Sequence, residues 1–83
     1  MASTREVEDL EFIRTPQSWP NGPFLPIKKY TDHELKTAVV IHDGKEMIMF
    51  EDANIITFGL ADLLRGGRYM TAEQIIADGW MVD

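Results

Sequence analysis

The stretch TAVVIHDGKEMIMF, residues 37 to 50, predicts a β-hairpin around which the other elements can be placed. Two apolar runs flank Asp43-Gly44, the dipeptide that a two-residue type I′ turn favours. Such a turn fixes which residues face each other across the two strands. The expected pairs are His42 with Lys45, Ile41 with Glu46, Val40 with Met47, Val39 with Ile48 and Ala38 with Met49.

Both faces of this hairpin are apolar. One face carries Val39, Ile41, Ile48 and Phe50, and the other carries Val40, Met47 and Met49. A small antiparallel sheet usually leaves one face polar, so the second face needs a cover. The candidates are the proline-rich segment that precedes the hairpin, the helices expected after it, or a second copy of the chain.

The proline-rich segment SWPNGPFLPIKKY, residues 18 to 30, has a proline at every third position from 20 to 26. All four prolines lie in residues 16 to 27, which excludes a helix or a central strand there. The run PFLPIK matches a PxxPx(K/R) groove ligand, but such ligands lie in exposed polar tracts. Because Trp19 and Phe24 are interleaved with the prolines, we interpret the segment as a lid over one sheet face.

The remaining segments predict a short series of elements around the hairpin. Residues 1 to 7 are expected to be frayed, residues 8 to 14 alternate as a strand, and ANIITF, residues 53 to 58, is expected to be a further strand. A short helix over 59 to 65 precedes Gly66-Gly67, and Thr71 with Gln74 forms a capping box for a second helix that Gly79 ends. Trp80, Met81 and Val82 fold back or pair as a last strand.

The predicted architecture is therefore α+β. It is a small antiparallel sheet of three to four strands around a central hairpin, with one or two short C-terminal helices and a proline-rich lid. A chain of 83 residues forms one domain, residues 1 to 83.

Charge and composition narrow the class of partner. Fourteen acidic residues against eight basic ones give a net charge of −6, which opposes direct binding to nucleic acid. The chain has no cysteine, and acidic residues interrupt the apolar run that a signal peptide needs near the N-terminus. No window is long and apolar enough to span a bilayer. We expect a cytoplasmic protein with no membrane contact.

Residues suited to catalysis are few. His33 and His42 are the only histidines, and Ser3 and Ser18 are outside any nucleophile-elbow context. We therefore expect no enzyme, no cofactor and no metal site. Arg65 and Arg68 flank Gly66-Gly67, and this RGGR stretch is the best candidate in the chain for binding a small anion, although helix termination is the favoured explanation of the glycines.

Two segments carry a resemblance. TPQSWPNGPFLPIKK, residues 15 to 29, and AEQIIADGWMVD, residues 72 to 83, resemble parts of short uncharacterised accessory proteins of bacteriophages and bacterial mobile elements. The resemblance covers about a third of the chain and transfers no catalytic residue. It implies a protein that binds a host protein and inhibits or redirects it.

The functional hypothesis is a non-catalytic protein-binding module that also forms a homodimer. The candidate partner-binding residues are Trp19, Phe24, Val40, Met47 and Met49; methionine is frequent at adaptable contact surfaces. Two alternatives stay open: an acidic mimic of nucleic acid, and a small-ligand sponge that binds a nucleotide or another anion with Arg65 and Arg68 at an oligomer interface.

Overall fold

The computed structural model describes residues 4 to 42 and 46 to 83. Within these residues, five strands form one antiparallel sheet, which three α-helices and a 3-10 helix accompany. The elements in chain order are α1 Thr4–Ile13, a 3-10 helix Pro16–Ser18, β1 Phe24–Tyr30, β2 Leu35–His42, β3 Met47–Glu51, α2 Leu60–Arg65, β4 Arg68–Tyr69, α3 Ala72–Ala77 and β5 Met81–Val82. The strand order is β4-β3-β2-β1-β5. The α+β class is confirmed, with more strands than predicted.

The central hairpin is confirmed, but its predicted register is wrong by two residues. His42 pairs with Met47, Val40 with Met49 and Ala38 with Glu51. Residues 43 to 46 therefore connect the strands, and the predicted Asp43-Gly44 turn lies outside the described residues. Because side chains alternate with a period of two, a shift of two keeps every residue on its predicted face.

The proline-rich segment supplies a strand of the sheet, which corrects the expectation that residues 16 to 27 contain no central strand. β1 includes Pro26 and pairs with β2 on one side and β5 on the other. The carbonyl of Pro26 accepts a hydrogen bond from the Asp83 N–H at 3.1 Å, so the proline nitrogen also faces β5. Because the Pro26 nitrogen faces away from β2, the missing N–H interrupts no β1–β2 hydrogen bond.

The N-terminal segment forms helix α1, so the strand predicted over residues 8 to 14 is wrong. Residues 4 to 7, expected to be frayed, are helical too, and residues 1 to 3 lie outside the described part. Asp9 and Ile13, one helical turn apart, are the buried residues of α1. The alternation of Leu10 and Phe12 with acids is therefore a short stretch of a helical pattern.

Residues 53 to 58 form a turn rather than the predicted strand. The Asn54 side chain accepts a hydrogen bond from the Ile56 N–H at 2.8 Å, and the Asn54 carbonyl accepts one from Thr57 at 3.1 Å. These local bonds compete with sheet pairing, as asparagine commonly does in turns. The turn packs Ala53, Ile55 and Phe58 on the Val39 and Phe50 side of the sheet, which we call the loop-covered face.

The opposite side of the sheet carries Val40 and Met49, and we call it the helix-covered face. Its main cover comes from α1, α3, Trp19 and Trp80. Trp19 is 5 % exposed, so this part of the proline-rich segment does lie over the sheet as predicted. The buried residues of this core are Ile13, Trp19, Leu25, Ile27, Ala38, Val40, Met49, Ala72, Ile75 and Trp80.

The two C-terminal helices and the last strand follow the sequence prediction, whereas β4 was not predicted. α2 ends at Arg65 with Gly66 as its C-cap, and Thr71 caps α3 by accepting a hydrogen bond from the Gln74 N–H at 3.1 Å. Gly79 has φ of 95° directly after α3, and the chain then pairs as β5. Among the helices within the described residues, none has the length and apolarity that crossing a membrane requires.

Gly67 is the position where the backbone after α2 comes closest to the sheet. A Cβ atom there would lie 2.7 Å from Ile48 Cγ2, 2.7 Å from the Met49 carbonyl oxygen and 3.1 Å from Phe50 Cδ2. The carbonyl cannot move without disturbing β3. This close approach fixes α2 and β4 against the sheet.

We expect Gly67→Ala to lower the free energy of unfolding by about 2 kcal/mol, as overpacking does at a tight contact. Gly59→Ala is the control, because its Cβ would meet only the Thr57 carbonyl oxygen at 3.9 Å. Urea denaturation of both variants measures the difference. An equal, small loss in the two variants would contradict the close approach at Gly67.

Candidate functional site

Helix α2 presents its apolar side to solvent. Leu60 is 70 % exposed, Leu63 48 % and Leu64 78 %. Their spacing of i, i+3 and i+4 places them on one side of the helix, and we call this set the leucine face. Surface helices normally bury such a stripe against the core, so the orientation of α2 is inverted.

The polar side of α2 attaches it to the rest of the protein. Asp62 accepts a hydrogen bond from the Gly59 N–H at 3.0 Å and pairs with Arg65 at 2.8 Å. Arg65 also donates to the backbone carbonyls of Glu51 at 3.3 Å and Asp52 at 3.2 Å. These contacts at the end of β3 hold the leucine face outward.

A second apolar feature runs across four strands of the sheet. Phe24 pairs with Ile41, Ile41 with Ile48, and Ile48 with Tyr69. Side chains of directly paired residues project to the same face, so these four form one line, which we call the lateral row. Tyr69 is 66 % exposed and the other three are half-buried.

The lateral row belongs to the loop-covered face, as does α2. Phe58 packs on this face, with its ring centroid 5.9 Å from that of Phe24 and 5.4 Å from that of Phe50. α2 follows Phe58 almost directly, and Gly67 after α2 contacts Ile48 and Phe50. One side of the protein therefore combines the leucine face with the lateral row.

Residue Ile56 extends this apolar surface. It lies in the turn between β3 and α2 and is 88 % exposed, while the neighbouring Ile55 packs inward. Tyr30 and Leu35, which face each other at the far end of β1 and β2, have the same parity as Phe24 and are exposed too. Exposed apolar side chains gathered on one side of a protein often mark interaction sites.

The structure separates the five predicted partner-binding residues. Trp19, Val40 and Met49 are buried in the core of the helix-covered face, and Met47 packs at its margin. A partner can reach Val40 or Met49 only if the helical layer opens. Phe24 differs, because it is half-buried and lies in the lateral row. The protein's own helices cover the face on which the sequence placed a second copy.

The two predicted anion-binding residues have carboxylate partners. Arg65 pairs with Asp62, and Arg68 pairs with Glu51. They border a concavity of about 310 Å³ with Gly66 and Gly67. An anion bound there would compete with both carboxylates, and anion binding stays a prediction.

An ion pair between Arg14 and Glu73 joins the end of α1 to α3. The hydrogen bond from the Arg14 guanidinium lowers the pKa of the Glu73 carboxyl below its ordinary value and raises the pKa of Arg14. Both groups are exposed, so the pair contributes little to stability. It stabilises the charged forms of both groups and creates no proton donor or acceptor near neutral pH.

Neither His33 nor His42 belongs to a cluster of metal-binding side chains in the described part of the chain. Within residues 4 to 42 and 46 to 83, no three His, Asp or Glu side chains are grouped to hold a metal ion. His42 packs edge-on against Trp19, with ring centroids 6.1 Å apart. Its contacts are therefore those of a residue at the margin of the core.

Comparisons with protein-family models, with curated proteins and with solved structures find no match to this chain. The surface formed by the leucine face and the lateral row is therefore the main indication of function. Sequence reasoning missed the leucine face. A helical wheel over residues 60 to 65 separates the leucines from Asp62 and Arg65, but it does not show which side faces outward.

Proposed function

We propose that this chain is a non-catalytic protein-binding module whose contact surface is the loop-covered face. The observation that carries the proposal is the inverted orientation of α2, in which three leucines face solvent while Arg65 donates to the backbone carbonyls of Glu51 and Asp52. A contact that buries these leucines removes their apolar surface from water, which favours association. Full burial of one such side chain is worth about 1.5–3 kcal/mol.

The size of the surface suits a protein rather than a small molecule. The leucine face is convex, because it is the outer side of a helix, whereas small ligands bind in concave pockets. The lateral row beside it spans four strands. Association costs translational and rotational freedom, so several apolar anchors must act together to give useful affinity.

Two kinds of occupant fit a protein-contact surface: a different protein or a second copy of this chain. The resemblance of residues 15 to 29 and 72 to 83 to phage and mobile-element proteins favours a host protein that is inhibited or redirected in the cytoplasm. The acidic mimic of nucleic acid and the small-ligand sponge stay predictions.

The proposal predicts that Leu60→Lys with Leu64→Lys abolishes association without unfolding the chain. Both side chains are exposed, so the free energy of unfolding should stay within about 0.5 kcal/mol of that of the unsubstituted chain. Val7→Lys is the matched control, since Val7 is 51 % exposed on α1, across the sheet. The measurement is affinity capture by each tagged chain from cells that also express an untagged copy, quantified by mass spectrometry.

The expected result is that at least one protein, either a distinct one or the untagged copy, binds to the unsubstituted chain and the Val7→Lys control in stoichiometric amount. The same protein should be lost from the double leucine variant. If every captured protein binds the three chains equally, the loop-covered face is not the contact surface.

A further inference from the structure

We infer that the outer edge of β4 binds an extended, positively charged segment of another protein, which adds a further strand to the sheet. β4 lies at one end of the strand order, so one of its sides has no neighbouring strand among the described residues. The contact goes beyond the proposed function, because it uses backbone groups at a sheet edge rather than the exposed leucines of α2. Addition of a strand to a free edge is a common way in which proteins bind peptides.

The backbone of Tyr69 points away from the sheet. Met70, the next residue, donates its N–H to the Met47 carbonyl at 3.0 Å, so its backbone groups face β3. Along an antiparallel strand this direction alternates from one residue to the next. The N–H and C=O of Tyr69 therefore face outward, and no other residue in the described ranges 4 to 42 and 46 to 83 bonds to them. They offer an extended chain one donor and one acceptor.

The opposite edge of the sheet is closed. On β5 the outward N–H of Val82 donates to Asp9 at 3.1 Å, and the Val82 carbonyl accepts from Arg5 at 2.8 Å. Side chains of α1 thus occupy the groups that would pair with another chain, which is a common protection of sheet edges. On β4 only the short length of the strand limits such pairing. The two outward groups of Tyr69 therefore need support from side-chain contacts to give useful affinity.

A groove beside β4 provides room for those side chains. It consists of two concavities between β4 and α3, one of about 440 Å³ toward the end of α3 and one of about 350 Å³ toward its start. Tyr69, Met70 and Gln74 border both. The groove lies on the helix-covered side, to which Arg68 belongs through its pairing with Met49. An added strand directs every second side chain to this side, where it can enter the groove.

Charge favours a segment of another protein over a second copy of this chain. Acidic residues outnumber basic ones along the groove, which is lined by Glu46, Glu73, Asp78, Arg14 and Arg68. The whole chain has a net charge of −6. Such a field attracts a cationic segment and repels a second copy that approaches the same edge. We therefore expect a segment with apolar side chains at alternate positions, which enter the groove, and with lysine or arginine among the others.

The test starts with a displayed library of random linear peptides, selected on the purified chain. Enriched peptides should alternate apolar with polar residues and carry a net positive charge. The best of them, synthesised with a fluorescent label, should bind in fluorescence anisotropy with micromolar affinity. Leu60→Lys with Leu64→Lys should bind this peptide as tightly as the unsubstituted chain does, because α2 does not border the groove. Failure here therefore leaves the proposed function standing, and the reverse also holds.

Two substitutions at Tyr69 separate its backbone from its side chain. Tyr69→Pro removes the outward N–H without interrupting a β3–β4 hydrogen bond. It should weaken peptide binding about thirtyfold, because a peptide carbonyl loses its donor. Tyr69→Thr keeps the N–H and should stay within about fivefold, the range of one cross-strand side-chain contact. Circular dichroism checks that both variants are folded.

The peptide itself provides a second measurement on the unsubstituted chain. In a series of peptides with one N-methyl group each, binding should be lost at the amide that donates to the Tyr69 carbonyl. It should be kept at the next amide, which faces away from β4.

A library that yields no peptide, or peptides that bind Tyr69→Pro and the unsubstituted chain equally, would remove the inference. So would an N-methyl series without a sensitive amide, a result that does not depend on whether Tyr69→Pro folds. A mass above 9.5 kDa in sedimentation equilibrium that Tyr69→Pro returns to 9.5 kDa would make a second copy the occupant of the edge and remove the partner's segment.

Discussion

Replacing Trp19 by alanine should lower the free energy of unfolding by about 3–5 kcal/mol, as expected when a buried tryptophan is removed. Trp19 is 5 % exposed and packs in the core between the helices and the sheet. Its indole N–H donates to the Phe12 carbonyl at 2.9 Å, so the residue also holds the end of α1 in place. The truncation leaves a cavity and removes one of the two hydrogen bonds that the Phe12 carbonyl accepts, the other coming from the Thr15 N–H.

Urea denaturation of Trp19→Ala, Trp19→Phe and Tyr30→Ala separates these effects. Trp19→Phe keeps most of the packing but loses the hydrogen bond, and should cost about 1–2 kcal/mol. Tyr30 is an aromatic residue of the same segment that is 63 % exposed, so Tyr30→Ala should stay within about 0.5 kcal/mol. Similar stabilities for Trp19→Ala and Tyr30→Ala would mean that Trp19 lies outside the core.

The second large effect is expected at Asp9, which protects the β5 edge of the sheet. Its carboxylate accepts the outward N–H of Val82 at 3.1 Å, and its ion-pair partner Arg5 donates to the Val82 carbonyl at 2.8 Å. Asp9→Ala leaves the Val82 N–H unpaired in a half-buried position and frees Arg5. We expect a loss of about 3 kcal/mol, most of it from the unpaired N–H and the displaced end of α1.

Asp9→Asn and Glu8→Ala are the matched variants for this site. Asparagine keeps an oxygen acceptor for Val82 but removes the charge, so its loss should be smaller than that of Asp9→Ala. Glu8 is the exposed neighbour of Asp9 on α1, and Glu8→Ala should leave the unfolding free energy nearly unchanged. Equal effects of Glu8→Ala and Asp9→Ala in urea denaturation would contradict the role of Asp9 as an edge cap.

The sequence predicted the hairpin and its two faces because alternation is a strong local signal. Val39 and Phe50 lie on one face, and Val40 and Met49 lie on the other, as expected. The register error of two residues left these faces intact. It arose because Asp43-Gly44 predicts a two-residue turn, whereas the pairing of His42 with Met47 leaves four residues in the connection.

The errors outside the hairpin come from short apolar patterns that tertiary contacts decide. Leu10 and Phe12 fit a strand, but burial of Ile13 against the sheet selects a helix. Asn54 converts an apolar run into a turn through its own side chain. The outward orientation of α2 depends on Arg65 reaching carbonyls at the end of β3, which no local pattern contains.

The proposed function depends on the exposure of the leucine face, and the absence of cysteine from the sequence allows that exposure to be measured directly. In Leu64→Cys the single thiol should react with a water-soluble maleimide, at high dilution, within about threefold of the rate for Val7→Cys. Met49→Cys, at a position that is 1 % exposed, is the buried reference and should react far more slowly. A Leu64→Cys thiol as unreactive as that of Met49→Cys at every dilution would contradict the account.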